Sequence, residues 1–424
     1  MDVYLICYLA SFLFARTEHY YLSGLVLFIA AAYLYWYDYR RTDNVLHLRA
    51  LLSFFWVAGQ ALSCFKLSRL QRQWSLLSWA CFLGALFLFW QTYELMEKRY
   101  GSPQRFRPNN YAARRYGKPL FEVMVALTAF SATAFGLEAY RLGFIPLFIR
   151  GVPHAYSEFH ISGIHYITVS CVLVPALSVL WLQSERRMRR WKLITVIVMD
   201  VISFLIPVLC VSRFQMLLAV ILTLFTYILL HGFSIRYGWM AVAVVLPIYL
   251  ILTVARGHDV EYLNGIFEMK NSHMPIFITQ PYIYIANNYD NFDCLVRYLD
   301  RFAWGMKSLF PLWALTGLKF LKPSLINYPI IVNKEELTTL TLFYDAYYDF
   351  GPLGVALFAC MLGGLAYVLV SGLRKMKNPM GLVFYAQIST YFMFSFFTTW
   401  FSNPATWFYF AVTGAAAVYC EFRK

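Results

Sequence analysis

Residues 192–231 read KLITVIVMDVISFLIPVLCVSRFQMLLAVILTLFTYILLH, two apolar runs joined by the short segment Val211-Ser212-Arg213-Phe214. Each run is about 20 residues long, the length that an α-helix needs to cross the hydrocarbon core of a bilayer. Almost no loop separates the runs. The stretch therefore predicts a helical hairpin within a membrane.

The composition of the whole chain agrees with a membrane protein. Hydrophobic residues make up 60% of the sequence and charged residues 14%, whereas a globular domain usually carries about 25% charged residues. The eight cysteines form no CxxC pair and no Cys/His cluster, so neither a metal site nor a disulfide framework is indicated. The net charge of +14 could indicate a nucleic-acid partner, but its distribution favours a role in membrane orientation.

The apolar runs predict an all-α polytopic membrane protein with about twelve transmembrane helices and a single transmembrane domain over residues 1–424. The first run follows Met1-Asp2 without a basic segment, so it is interpreted as a span and not as a signal peptide. The predicted spans are 2–15, 20–37, 48–66, 74–96, 119–140, 161–183, 192–211, 213–231, 237–255, 343–371, 381–399 and 404–421.

The basic residues predict the orientation of these spans. With both termini in the cytoplasm, the inner side collects 21 of the 36 Lys and Arg residues and the short outer connections collect seven. Short cytoplasmic loops are enriched in Lys and Arg, whereas long loops do not follow the rule. The long interval 256–342, with the remaining eight, is therefore expected outside the cell's plasma membrane.

The interval 256–342 between spans nine and ten is predicted to be a large, partly helical external loop. It carries eight acidic and eight basic residues and fourteen aromatic residues. Disordered segments are poor in aromatic residues, and short apolar stretches between prolines are typical of helices lying against a membrane. We therefore expect this interval to be folded.

Three arginines at the predicted outer boundary, Arg150, Arg213 and Arg256, are candidate ligands for a phosphate or diphosphate. Arg is costly at membrane depth and usually faces a cavity or a partner there, and its planar fork binds phosphate in a bidentate manner. Arg213 and Arg256 are the candidates for a catalytic role, and Arg150 for substrate binding. The structural alternative is that their side chains reach the interface for solvation alone.

Two acidic residues begin the predicted tenth span. Asp345 and Asp349 are four residues apart and so share one helical face. Asp345 is a candidate catalytic residue and Asp349 a candidate for binding sugar hydroxyls. The alternative is structural, because an acid near a helix N-terminus is stabilised by the helix dipole.

A polar group of His154, Glu158, His160 and His165 precedes and begins the sixth span. His165 and Glu158 are candidates for the general base that deprotonates a sugar hydroxyl, and His160 for substrate binding. No helical HxxxH with a third ligand is present, so a metal site is not expected. Satisfied structural hydrogen bonds are the alternative for all four.

A patch over residues 282–293 alternates aromatic with amide and carboxylate side chains. Its members Asn288, Tyr289 and Asp290 are candidates for substrate binding, because aromatic faces stack on sugar rings while polar groups bind hydroxyls. Aromatic residues also belong at membrane interfaces for structural reasons. Since no P-loop, GxGxxG, GxSxG or zinc signature is present, any reaction is expected to use a lipid-borne donor and no cofactor.

Over residues 119–371 the chain resembles the Wzy-type oligosaccharide repeat-unit polymerases of bacteria. Short motifs carry the resemblance in the order 143–148, 163–166, Ser212-Arg213, Arg256, 289–292 and 341–354. The resemblance implies an enzyme of GT-C-like architecture that moves a growing glycan from undecaprenyl diphosphate onto the non-reducing end of a new lipid-linked repeat unit. Such enzymes make O-antigen, capsule or other exopolysaccharide in the bacterial plasma membrane, need no metal, and work beside a flippase and a chain-length regulator.

Two alternatives stay open at this point. A transferase resembling the O-antigen ligases would share the topology and the lipid-linked donor but use another acceptor. A flippase or secondary transporter is compatible with twelve spans, although no internal repeat is visible. A transporter is expected to place ionisable groups near the bilayer midplane, whereas most of them here lie at the predicted outer boundary.

Overall fold

The computed structural model is helical over most of the residues that it describes. These are residues 1–108, 115–149, 155–185, 189–240, 242–243, 246–247, 260–271 and 273–424. Of the predicted features, Arg150, His154, Arg256 and most of the span expected at 237–255 lie outside the described residues.

The α-helices whose two ends are both described are numbered in chain order. They are α1 (Asp2–Arg16), α2 (Tyr20–Thr42), α3 (Leu48–Cys64), α4 (Leu76–Tyr100), α5 (Gly117–Leu142), α6 (Ala155–Glu158), α7 (Ile164–Val169), α8 (Val174–Ser184), α9 (Arg190–Leu209), α10 (Arg213–His231), α11 (Val260–Phe267), α12 (Ile276–Tyr298), α13 (Phe310–Leu315), α14 (Leu318–Leu321), α15 (Tyr344–Gly372), α16 (Met380–Met393) and α17 (Pro404–Arg423). Extended pairing within the described residues is limited to a single bridge between Ser68 and Met269.

Seven helices of the described residues are long and apolar enough to cross a membrane, each at a position predicted for a span. They are Tyr20–Thr42, Leu76–Tyr100, Gly117–Leu142, Ile164–Ser184, Arg190–Leu209, Arg213–His231 and Tyr344–Lys375. The spans predicted at 2–15, 48–66, 381–399 and 404–421 are also largely helical, but their helices are shorter or less apolar. The chain is thus a helical membrane protein, and a total of twelve spans stays a prediction.

The chain forms two compact units. The first unit comprises Met1–Phe106, Asp259–Gly372 and Tyr391–Trp407. The second comprises Arg107–His258, Leu373–Thr390 and Phe408–Lys424. The long interval 256–342 therefore folds almost entirely with the N-terminal helices.

Aromatic side chains form the core of the first unit. In it, α3 packs against α2 and α12, and α4 packs against α15. The ring of Trp56 lies 5.2 Å from that of Tyr289 and 4.8 Å from that of Phe343, and Phe82 lies 5.0 Å from Phe292. Such edge and tilted pairs add about 0.5–1.5 kcal/mol each beyond the burial of their area. They fix α12 against the N-terminal helices.

A row of three asparagines on α12 holds the chain segment that follows residue 330. Asn287 and Asn333 exchange two side-chain hydrogen bonds of 2.7 and 3.1 Å. The Asn291 amide donates to the carbonyl oxygen of Thr339 at 2.9 Å, and the Thr339 hydroxyl donates to Asn288 at 2.6 Å. Buried amide groups are stable only when so satisfied. The asparagine row therefore fixes residues 333–339 on the helix.

The helix α15 breaks near its start. Gly351 has φ +60° and Phe350 is not helical, while Pro352 follows within the same helix. Proline cannot donate the backbone hydrogen bond that the carbonyl four residues earlier requires, and glycine adopts a positive φ without a side-chain clash. The sequence Phe350-Gly351-Pro352 thus explains the break.

The carbonyl groups released by this break are bound by another segment of the first unit. The backbone N–H of Ala303 donates to the carbonyl oxygen of Tyr348 at 3.0 Å, and that of Trp304 donates to Asp349 at 3.2 Å. Unpaired backbone groups are costly in an apolar environment. The segment 303–308 therefore folds onto the break in α15.

In the second unit, α9 and α10 form the hairpin that the sequence predicts. The turn is closed by a hydrogen bond of 2.9 Å from the backbone N–H of Ser212 to the carbonyl oxygen of Pro207. Val211 adopts φ +53° in this turn. A β-branched residue in the left-handed region costs on the order of 1–3 kcal/mol, so the surrounding packing must hold the turn in place.

Candidate functional site

The candidate site in the second unit is built around a carboxylate within an apolar helix. Glu138 lies one turn before the end of α5 and is fully buried. Its carboxylate accepts hydrogen bonds from the backbone N–H of Ile161 at 3.1 Å and from the Thr168 hydroxyl at 2.7 Å. An ionisable residue within a membrane span is rare and is usually functional.

The third partner of this carboxylate is His165, at the start of α7. Its Nδ1 lies 3.2 Å from both carboxylate oxygens of Glu138. An ionised carboxylate only accepts hydrogen bonds, so Nδ1 carries the proton, and Nε2 of the neutral ring is then an acceptor. The His165 side chain keeps 24% of its surface exposed. The pair has the arrangement that orients a histidine as a general base.

The other polar residues predicted in this region are placed differently. His160 is exposed, and its ring lies 5.1 Å from that of His165. Glu158 is also exposed, at the end of the four-residue helix α6. The structure therefore brings His160 and His165 together, while the carboxylate that binds His165 is Glu138 and not Glu158. The signal for Glu138 is its position as an acid within an apolar run.

Arg213 is the first residue of α10 and is half-buried. Two residues further on, the Oε1 atom of Gln215 accepts a hydrogen bond of 3.1 Å from the hydroxyl of Tyr409. The same hydroxyl lies 3.4 Å from the carbonyl oxygen of Val169, at the end of α7. Tyr409 thus links the first turn of α10 to the short helix that carries His165.

Asp345 and Asp349 belong to the first unit and are both buried. The Asp345 carboxylate accepts hydrogen bonds from the hydroxyls of Thr399 and Ser402. The Asp349 carboxylate accepts from the backbone N–H of Lys307 at 3.1 Å and of Ser308 at 2.8 Å. Asp349 therefore holds the segment 303–308 at the break in α15, and its expected role in binding sugar hydroxyls stays a prediction.

The patch with Asn288, Tyr289 and Asp290 is not a surface in the structure, and its expected role in binding sugar stays a prediction. All three side chains are buried, because residues 276–298 form one helix that is buried on all sides over residues 286–293. The Tyr289 hydroxyl donates to the carbonyl oxygen of Trp56 at 2.8 Å. Asp290 accepts hydrogen bonds from Lys66, Ser63, Gln71 and Trp74. Those contacts hold the first unit together.

Among the described residues, no group of three or more His, Cys, Asp or Glu side chains is arranged to hold a metal ion. The Glu138–His165 pair can accept a proton, and a cation at Arg213 can stabilise an anion. Comparison with protein-family models, curated proteins and solved structures gave no match for this chain.

Proposed function

We propose that this protein polymerises oligosaccharide repeat units linked to undecaprenyl diphosphate on the outer face of the bacterial plasma membrane. The proposal assigns it as a lipid-diphosphate-dependent glycosyltransferase with cytoplasmic termini. The observation that carries the proposal is the Glu138–His165 pair, a buried carboxylate holding a partly exposed histidine within a membrane protein. The order of the sequence motifs supports the same family of enzymes.

In the proposed reaction, His165 acts as the general base. Its Nε2 takes the proton from the acceptor sugar hydroxyl while that oxygen forms a bond to the anomeric carbon of the donor glycan. The bond from this carbon to the diphosphate oxygen breaks, and the electron pair leaves with the lipid diphosphate. Glu138 stabilises the imidazolium that forms, as the third member of a catalytic triad does. The proton then passes from His165 to solvent.

Arg213 would act on the leaving group. Negative charge develops on the diphosphate as its bond to the sugar breaks, and a guanidinium placed there stabilises the transition state more than the ground state. Arg213 begins α10 beside the segment tied to α7. Arg256 and Arg150 are proposed to assist, as the sequence predicts for both.

A flippase or secondary transporter is the second candidate, and the broken helix α15 favours it. Discontinuous helices with buried polar groups near the break are common at the substrate sites of transporters. Here Asp345 and Asp349 are buried just before the non-helical residues Phe350 and Gly351. The two functions differ in the glycan that reaches the cell surface.

The test is deletion of the gene in its own host, followed by electrophoresis of surface glycan. Loss of a polymerase leaves a single repeat unit on the surface, loss of a flippase leaves essentially none, and loss of a ligase leaves polymer on the lipid carrier. Complementation with Arg213→Ala or Arg256→Ala is expected to leave short chains. The control is Arg141→Ala, an exposed arginine at the end of α5. Normal polymer in the deletion strain would overturn the proposal.

A further inference from the structure

The first unit contains a cleft lined by basic residues that belong to none of the candidate groups predicted from the sequence. The cleft has a volume of about 490 Å³ and is lined by residues from the connection between α3 and α4, from the end of α12, and from residues 331–333. Arg69, Arg72 and Arg297 line it, and we call it the cationic cleft. A neighbouring cavity of about 430 Å³ shares Arg72 and Arg297 and adds Arg16.

Buried contacts fix the connection between α3 and α4, which carries Arg69 and Arg72. The backbone N–H of Arg69 donates to the carbonyl oxygen of Glu268 at 2.8 Å, next to the bridge between Ser68 and Met269. In the same connection, the buried ammonium of Lys66 binds the Asp290 carboxylate at 2.7 Å. The connection is therefore held from both sides, and its arginines are presented from an ordered backbone.

The ion pairs around the cleft leave it positively charged. Each acid in its lining has a basic partner: Asp290 pairs with Lys66, Asp293 with Arg297, and Glu268 with Lys334. Arg69 and Arg72 are exposed, and within the described part of the chain no acidic side chain lies within ion-pair distance of either one. Two guanidinium groups are thus available to a ligand.

We propose that the cationic cleft binds the diphosphate of the acceptor, the lipid-linked repeat unit that keeps its carrier during transfer. This inference rests on the proposed function, because that reaction joins two molecules that each bring a diphosphate. Arg69 and Arg72 supply planar forks that match phosphate oxygens. Tyr298, which is 58% exposed at the same cleft, offers an aromatic face to the adjoining sugar.

The division of roles follows from the chemistry around each cation. The donor diphosphate leaves, so it must lie near a general base that activates the attacking hydroxyl, and Arg213 and His165 belong to one unit. The acceptor diphosphate undergoes no bond change and needs only a fixed anion site. The described residues that line the cationic cleft include no histidine, in keeping with binding without proton transfer.

The test measures binding without turnover, on the purified full-length protein in detergent. Inorganic pyrophosphate and a short prenyl diphosphate are each titrated by calorimetry at low and high salt. The variant is Arg69→Gln/Arg72→Gln, and the matched control is Arg141→Gln, since Arg141 is also exposed and also on a predicted outer connection. Both arginines of the variant are at the surface, so the fold is expected to survive their replacement.

We expect the double variant to bind the prenyl diphosphate roughly tenfold more weakly or to lose one of two sites, while the control binds like the wild type. Equal binding by wild type and double variant would overturn the inference. Tighter binding of the prenyl diphosphate than of pyrophosphate assigns the ligand to a lipid carrier, whereas equal affinity overturns the acceptor assignment. Glycan electrophoresis of the deletion strain tests the proposed function separately, so the two can fail independently.

Discussion

Lys66 and Asp290 form a buried ion pair in which Nζ lies 2.7 Å from Oδ1, although 224 residues separate them in the chain. Each side chain is 5% exposed. Removing one partner of such a pair leaves an uncompensated buried charge, which costs about 3–5 kcal/mol. We therefore expect Lys66→Met to lower the thermal unfolding temperature of the purified protein strongly, as followed by intrinsic fluorescence.

The matched control for this prediction is Lys334→Met. Lys334 pairs with Glu268 at 2.8 Å, but the two side chains are 22% and 42% exposed. A pair screened by solvent contributes only about 0–1 kcal/mol. Equal changes in unfolding temperature for the two variants would contradict a special role for the buried pair.

The Glu138–His165 pair predicts a loss of polymer in cells. We expect His165→Ala to slow chain extension by about 10²–10⁴-fold, the usual contribution of a general base. Glu138→Gln removes the charge that stabilises the imidazolium, so chain extension should slow while the affinity for the lipid-linked repeat unit is kept. Rates are measured in membranes with lipid-linked repeat units. A merely structural Glu138 would change the amount of folded protein and not the rate per folded molecule.

The control for these variants is His273→Ala, because His273 is an exposed histidine of the first unit. It is expected to leave the rate unchanged. Normal chain length with His165→Ala would remove His165 as the base and with it the proposed mechanism.

His47, just before α3, predicts a loss of stability in acid. Burial is the main cause that lowers its pKa from 6.5 to about 4, and the nearby Arg49 lowers it further, while Asp38 opposes both. Between these two values the unfolded chain binds a proton that the folded chain does not, so unfolding becomes more favourable as pH falls. Stability should therefore decline from about pH 6.5 to about pH 4.

Replacement by His47→Gln should flatten this decline, as measured by unfolding temperature against pH. His273→Gln, at an exposed position, should retain the wild-type dependence. An unchanged slope in His47→Gln would assign the acid sensitivity to other groups.

The break in α15 predicts a strong response to one added methyl group. A Cβ at Gly354 would lie 1.9 Å from the carbonyl oxygen of Ala346, on the other side of the break. Overpacking of this kind typically costs about 1–3 kcal/mol, occasionally more. We expect Gly354→Ala to lower the unfolding temperature. The control is Gly364→Ala in the same helix, because a Cβ at Gly364 meets the Met96 sulfur at an ordinary 3.5 Å. This variant should be tolerated. Equal changes in unfolding temperature for the two variants would contradict the close contact between Gly354 and Ala346.

The apolar runs predicted the positions of the long helices, because length and hydrophobicity alone specify a helix in a bilayer. Hydropathy alone does not indicate that Glu138 is a site residue. Glu138 changes the hydropathy of its span little, and its partner His165 is 27 residues away. Only the folded chain shows that the two side chains meet.

In the helix α12, the polar residues make the sequence misleading. Its polar residues Asn287, Asn288, Asp290 and Asn291 favour a surface loop when the sequence is considered alone, yet they are buried. Their burial is possible because groups from distant parts of the chain satisfy them, among them Lys66. Local sequence patterns contain no information about such partners, so the patch was predicted as a sugar-binding surface.

The two attachments of the segment after α12 have a consequence for insertions into the chain. Asp349 fixes residues 303–308 and the asparagine row fixes residues 333–339, so the stretch 310–330 is held at both ends. Doubling the length of a flexible loop between fixed ends costs only about 0.6 kcal/mol. Insertions and replacements in 310–330 are therefore cheap. Such changes leave α12 and α15 in place, since each helix keeps its own contacts within the first unit.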